Sequence, residues 1–327
     1  MSYHIEFSDG CSMATNNRLM DYYLPPQESF VLESLLATTY QVDFEFLEED
    51  LLARALGVRA STSRMPAFRS ELERQLQKTL VTVLYDQTGC ERLARTSPRI
   101  DPIPVSGQKL HAKVTIQLWT RPPNEDAAVP DRRIRLVVGS ANLTKYGFRE
   151  NYECVAAFDF GGRSTVPREL LTSTLALIRD VGGGTDNPQF ARQLDQLDRE
   201  AAKLPVGEPR DDTPLRVVRA REVIPALQAL WREMSPQEPR ELTIVSPFWP
   251  EGTTAADALV RLVHDLGTPP SIELICRGVA SNGGKSWLPE FDPNLAHQLR
   301  DQLNGRLFLR AALPNFGTSS EPADEGD

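Results

Sequence analysis

KLHAKVTIQLW, residues 109 to 119, places His111 and Lys113 two positions apart at the head of an apolar run that Val114, Ile116 and Leu118 continue. Residues two apart on a strand face the same side of a sheet. The stretch therefore predicts a strand whose first two polar side chains look toward one point. Downstream, IRLVVGSANL (134–143) predicts a second strand, joined to the first by the proline-rich RPPNEDAAVPDRR (121–133). The two runs are expected to be sheet neighbours, and CVAAFDF (154–160) a further strand.

Working back toward the N-terminus, SFVLESLLATTYQVDFEFLEEDLLARALG (29–57) reads as an apolar strand running into a helix, with Phe44, Leu47, Leu51 and Ala55 at helical spacing. SELERQLQKTL predicts another helix, and LVTVLY (80–85) a buried strand. RIDPIPV (99–105) predicts an edge strand, because its prolines cannot donate to a ladder. Working forward, two helical segments follow, and in the second Phe190, Leu194, Leu197, Ala201 and Leu204 form one apolar stripe. PVGEPRDDTP (205–214) is a linker by composition.

Beyond it the plan repeats. ELTIVSPFWPEGTTAADALVRLVHDLG (241–267) matches residues 30–57 as strand, loop and helix, SIELICRG (271–278) stands where LVTVLY stood, and GRLFLRAAL (305–313) where RIDPIPV stood. A domain-sized repeat of pattern predicts a duplicated unit. The organisation expected is an N-terminal segment (1–28), a first half-domain (29–165), a helical connection and linker (166–214) and a second half-domain (215–327). The second copy reaches PNFGTSSEPADEGD with no second histidine and lysine pair.

The bulk numbers narrow the function classes. The 327 residues are 40% hydrophobic and 25% charged, the balance of a globular protein. A net charge of -9 argues against coating nucleic acid by charge alone and leaves room for a local basic groove. Cys11, Cys90, Cys154 and Cys276 are scattered, so neither a disulfide framework nor a zinc site is indicated. No stretch approaches the ~18 apolar residues of a membrane helix, and the start has no basic segment followed by an apolar run. A cytoplasmic protein without stable membrane insertion is the expectation.

Chemistry concentrates between 111 and 153. A phosphodiester resists attack because its oxygens repel a nucleophile, so a site without metal needs fixed cations and donors on those oxygens. Lys113 and the Asn142 amide suit that task. His111 can attack phosphorus as a covalent catalyst, and Glu153 can hold the other imidazole nitrogen. Gly139 and Ser140 form a polar turn with donors, and Asn151 precedes Glu153 by two.

His111 and Lys113, then Gly139, Ser140 and Asn142, then Asn151 and Glu153, resemble the motif of the phospholipase D superfamily, the HKD phosphodiesterases. The resemblance implies an α/β fold of two α/β/α half-domains, each a mixed sheet flanked by helices, here with the second copy lacking its HxK motif. It implies a hydrolase that works through a phosphohistidine intermediate and needs neither metal nor other cofactor. In that superfamily two motifs meet at one site. Either a homodimer then pairs two copies of His111, or a second motif lies past Asp327.

Two features depart from the superfamily pattern. Its HxKxxxxD would put an aspartate where Leu118 stands, and the tyrosyl-DNA phosphodiesterase branch also lacks that aspartate. DNA is accordingly the expected substrate, in a nuclease or DNA-repair role. The alternatives are phospholipid hydrolysis or transfer, and an inactive half-site serving as a binding module in a bacterial defence or helicase-associated system. The second departure is the long 121–133 loop, expected near the site mouth. Elsewhere, GVASNGGKSW (278–287) lacks the first glycine of a phosphate loop because Val279 stands there, which leaves a flexible loop whose Lys285 could approach a bound phosphate. His264 and His297 read as helix-surface residues.

Overall fold

Two sequence patterns, apolar runs too continuous for a half-exposed strand and helices with a single apolar stripe, assemble into a mixed sheet covered on both faces. The computed structural model describes residues 19–58, 66–90, 97–107, 109–123, 130–149, 153–161, 164, 166–204, 217, 222–234, 241–245, 253–265, 271–281, 286–289, 291–303 and 307–312. The chain divides into two compact units, 1–217 and 218–327.

The described part of the first unit opens with a 3-10 turn, Leu19–Tyr23, and β1 (Val31–Thr39). A continuous helical run follows, made of α1 (Phe44–Phe46), a π-helical stretch Leu47–Leu52, and α2 (Ala53–Ala55). Next come α3 (Pro66–Leu76), β2 (Leu80–Asp86) and β3 (Ile100–Val105). The motif-bearing strands are β4 (Lys113–Arg121) and β5 (Asp131–Gly139), then a short α4 (Lys145–Arg149) and β6 (Val155–Phe160). The helices α5 (Arg168–Gly182) and α6 (Pro188–Lys203) complete it.

The six strands lie in the order β3-β2-β1-β4-β5-β6. β1, β2 and β3 are parallel, while β4 runs against β1, β5 against β4 and β6 against β5. The carboxyl ends of β1, β2, β3 and β5 therefore share one edge with the amino ends of β4 and β6. As its prolines predict, β3 is an edge strand.

Both faces of the sheet are covered, which is why its strands read as apolar runs rather than as alternations. One face, with Leu35, Val81, Val83, Trp119 and Val137, packs under the 3-10 turn, the helical run 44–55 and α3. Phe44, Leu47, Leu51 and Ala55, the residues at helical spacing, are all buried there. The other face, with Leu36, Leu84, Ile116, Leu118 and Leu136, packs under α5 and α6 through Leu171, Leu175, Phe190, Leu194 and Leu197. Each such side chain contributes about 1.5–3 kcal/mol on leaving water. The helices expected to connect two half-domains thus form one layer of the first unit, and residues 205–214 lie outside the described residues.

The second unit contains α7 (Val223–Met234), β7 (Glu241–Val245), α8 (Thr253–Asp265), β8 (Ser271–Ser281), β9 (Ser286–Pro289), α9 (Pro293–Gln302) and β10 (Leu307–Ala312). Its parallel strands run β10-β8-β7. That is the order and direction of β3-β2-β1, so the repeat seen in sequence is a repeat of topology. Ile272, Leu274 and Cys276 face Val263 of α8 and Leu295 and Leu299 of α9 in its core.

Two expectations need correction. The 278–287 stretch is partly strand, with Gly278 to Ser281 of β8 pairing antiparallel with β9; Lys285 lies outside the described residues. The 121–133 loop leaves β4 at Arg121 and enters β5 at Asp131, and its flanks pair with each other at the far end of the sheet from Lys113. Nine residues of strand separate the two ends, about 27 Å at ~3.4 Å per residue, so the loop starts and finishes far from the histidine. Strand direction alone decides this.

Candidate active site

The shared edge of the first sheet gathers the motif. Lys113 opens β4 and pairs with Gly139, which closes β5, and Gly139 pairs in turn with Val155 near the start of β6. His111 precedes β4 instead of lying in it, so simple strand alternation does not place it. The meeting is nonetheless achieved. Lys113 Nζ donates to the His111 carbonyl oxygen at 2.8 Å and lies 3.0 Å from His111 Nδ1. An ammonium has only protons to give, so Nδ1 is the acceptor, and a neutral ring carries its proton on Nε2.

Buried threonines of β1 hold this lead-in. Thr38 Oγ1 donates to the Ala112 carbonyl at 3.0 Å and accepts from Val114 N at 3.2 Å, gripping the chain on both sides of Lys113. Thr39 Oγ1 accepts from Leu143 N at 3.2 Å and donates to the Gln41 carbonyl at 2.7 Å, tying the second motif loop to the end of β1. Gln41 N donates to Asn142 Oδ1 at 3.2 Å. That bond makes Nδ2 the donating end of the amide left for an anion.

The 139–147 turn is built on close approaches. A Cβ on Gly139 would sit 2.9 Å from the Cys154 carbonyl oxygen, and one on Gly147 only 2.5 Å from the Asn142 carbonyl oxygen. Gly147 thus lets α4 lie directly against Asn142, while Phe148 packs between Tyr23 (5.4 Å) and Phe46 (5.1 Å). Ser140 N donates to the Cys154 carbonyl at 3.0 Å, Cys154 N donates to Ser140 Oγ at 3.0 Å, and Ser140 Oγ donates to the Glu153 carboxylate. In this arrangement Ser140 fixes Glu153. Glu153 in turn attracts the charge of Lys113. Asn151 lies outside the described residues.

Electrostatics favour a neutral imidazole. Partial burial lowers the His111 pKa from 6.5, as do the positive charges of Lys113 and Lys109, while Asp86 opposes them. Burial also lowers the Lys113 pKa, against the pull of Glu153 and with Lys109 adding to the lowering. Beneath the edge lies a cavity of about 10 Å³, room for about one water, lined in part by Thr38, Lys113, Thr115 and Gly139. Tyr23 OH lies 3.0 Å from Thr115 Oγ1, and burial pushes its pKa up to about 12.

Leu118 explains itself by position. It is five residues from Lys113, on the opposite face of β4, and 0% exposed among the α5 and α6 contacts. The superfamily's aspartate position therefore does not point at the site in this chain.

Several residues near the histidine gave no sequence signal. The Tyr40 ring lies 5.4 Å from the His111 ring, with Lys109 Nζ 5.2 Å and Lys113 Nζ 5.9 Å from its centroid. Thr38 and Thr39 were equally silent, since each works through the backbone of another loop, and Gly147 acts by a close approach to Asn142 inside its own turn. His264 and His297 are exposed on α8 and α9, as expected of helix-surface residues. Among the described residues, no helix is long and apolar enough to cross a membrane.

No family model matches the chain, and no curated protein does. Among solved structures it is similar to the crystal structure of phosphatidylserine synthase from Haemophilus influenzae Rd KW20, at 12% identity and a TM-score of 0.40, covering 90% of this chain and 70% of that one. The likeness is too distant to bear on chemistry.

Proposed function

We propose that this edge is one half of a phosphodiester-cleaving site, as the resemblance to the phospholipase D superfamily implies. One observation carries the reading: Lys113 Nζ rests 3.0 Å from His111 Nδ1 at an edge where the Asn142 amide is held by Gln41 and Glu153 by Ser140. An arriving phosphate draws Lys113 off the imidazole onto a phosphate oxygen, and Asn142 Nδ2 donates to another. The freed ring nitrogen attacks phosphorus, a histidine–phosphorus bond forms and the bond to the leaving oxygen breaks. That oxygen takes a proton from a general acid, and water later releases the phosphoryl group from His111. The general acid we assign to the histidine of a second copy of the motif, which a homodimer supplies.

The substrate proposed is a phosphodiester. The preference for DNA rested on Leu118 and on the soluble character that the composition predicts; Leu118 faces away from the site, so its identity does not speak for nucleic acid. A phospholipid is supported by Tyr146, 65% exposed on the helix that follows the GSAN turn, where an amphipathic ring suits a lipid interface. The decisive experiment is cleavage of bis(p-nitrophenyl) phosphate, a single-stranded oligonucleotide and phosphatidylcholine vesicles by the wild type and His111→Ala, with and without EDTA. Cleavage that His111→Ala abolishes and EDTA leaves intact supports the mechanism, and the substrate cleaved fastest assigns the class. Turnover surviving His111→Ala overturns it.

A further inference from the structure

Asp86 closes β2 and is 3% exposed. Its Oδ1 accepts from Thr88 N at 2.8 Å and from Thr88 Oγ1 at 2.6 Å, and its Oδ2 accepts from Leu110 N at 2.8 Å. A carboxylate capping the turn that follows its own strand is an ordinary local device. The bond to Leu110 is not local: it reaches 24 residues along the chain to the position just before His111. The turn that Asp86 caps also presses on Tyr40, because a Cβ on Gly89 would lie 2.0 Å from the Tyr40 carbonyl oxygen. Tyr40 is the residue whose ring lies tilted beside the His111 ring, 5.4 Å between centroids.

We propose that Asp86 is a positioning residue for His111, holding the imidazole through the Leu110 amide on one side and through the Gly89 turn and Tyr40 on the other. As the residue meant to attack a phosphodiester, His111 makes this inference rest on the function proposed above. The placement itself can be read without turnover.

Charge follows from the same geometry. Thr88 above all, then Leu110 and Lys109, hold the Asp86 carboxyl below its usual pKa against the effect of burial, so it is an anion at neutral pH. The charged groups acting on the His111 ring are Lys113 and Lys109, which disfavour its protonation, and Asp86, which favours it. Glu153 acts on the charge of Lys113. Removing the charge of Asp86 leaves two cations unopposed.

The test is the ring titration of the full chain by NMR with isotopically labelled histidine, His111→Ala assigning the signal and the other three histidines serving as internal references. Asp86→Asn is expected to lower the His111 midpoint while the references stay in place, and to reduce kcat on bis(p-nitrophenyl) phosphate more than it changes KM. A folded Asp86→Asn protein with an unmoved His111 midpoint overturns the proposal. Should that variant not fold, the wild type still answers: the Leu110 amide proton must shift at the same midpoint as the Asp86 carboxyl carbon. A Leu110 amide that ignores that titration overturns the proposal too. Shifts as expected with no turnover on any phosphodiester remove the catalytic reading and leave the positioning of His111 by Asp86 standing.

Discussion

The three parallel strands β3-β2-β1 and the three parallel strands β10-β8-β7 follow one plan with different consequences. In the first unit the plan continues into β4, β5 and β6, which bring His111, Lys113, Asn142 and Glu153 to the carboxyl edge. In the second, no counterpart of those strands occurs among the described residues. The difference extends to single positions. Asp86 ends β2, and Cys276 lies in the part of β8 that pairs with β10. Asp86 is an anion tied to the loop before His111, whereas burial pushes the Cys276 thiol up to about 11 and keeps it neutral. A parallel sheet offers an edge where loops converge, and chemistry depends on the polar groups placed there.

The comparison can be broken most directly at the histidines. His111→Ala is expected to reduce phosphodiester turnover about 10³-fold or more, as loss of a covalent catalyst does, while His297→Ala on α9 leaves the rate unchanged. Equal losses in a steady-state assay would mean that the second unit carries chemistry as well. Next in size are the cores. Leu136→Ala and Leu274→Ala, both at 0% exposed positions, should each cost about 2–5 kcal/mol. Hydrogen exchange followed residue by residue should show the first change confined to the first unit and the second to the other. Protection lost across both units by either variant would show that they unfold as one.

Gly147→Ala sharpens the comparison inside the first unit. Its Cβ needs space held by the Asn142 carbonyl, so Asn142 must shift, and a misplacement near 1 Å costs about 10²-fold in rate. A rate within twofold of wild type, with the fold verified by circular dichroism, would remove Asn142 from the site. The smallest effect concerns pH. Because the folded His111 pKa lies below 6.5, the unfolded chain takes up that proton first as pH falls. The stability the group contributes is present above pH 6.5 and is lost as pH drops through the folded value. The acid limb of kcat/KM should accordingly fall below 6.5, and a limb above 6.5 would contradict the environment of the ring.

Much of this was legible because it is periodic or local. The apolar runs located β1, β2, β4 and β5, the prolines put β3 at an edge, and the spacing of Phe190, Leu194, Leu197 and Ala201 gave the buried stripe of α6. The repeat was legible as a recurrence of strand, helix and strand. Other features escaped for a definite reason. Thr38 and Asp86 act on backbone groups of loops distant in sequence, and such bonds leave no periodic trace. The 121–133 loop was expected near the site because it lies between two motifs in sequence, yet antiparallel pairing puts its two ends at the far end of the sheet.

By itself, then, the sequence determined the strands, the repeated plan and the residue types on which the proposed phosphate site draws, since side-chain chemistry and hydrophobic period are properties of short segments. Tertiary structure decided which ends of the strands coincide, that Leu118 turns away from Lys113, and that Asp86 holds the loop before His111. These depend on strand direction, register and hydrogen bonds between segments far apart along the chain, which become determinate only when the sheet has formed.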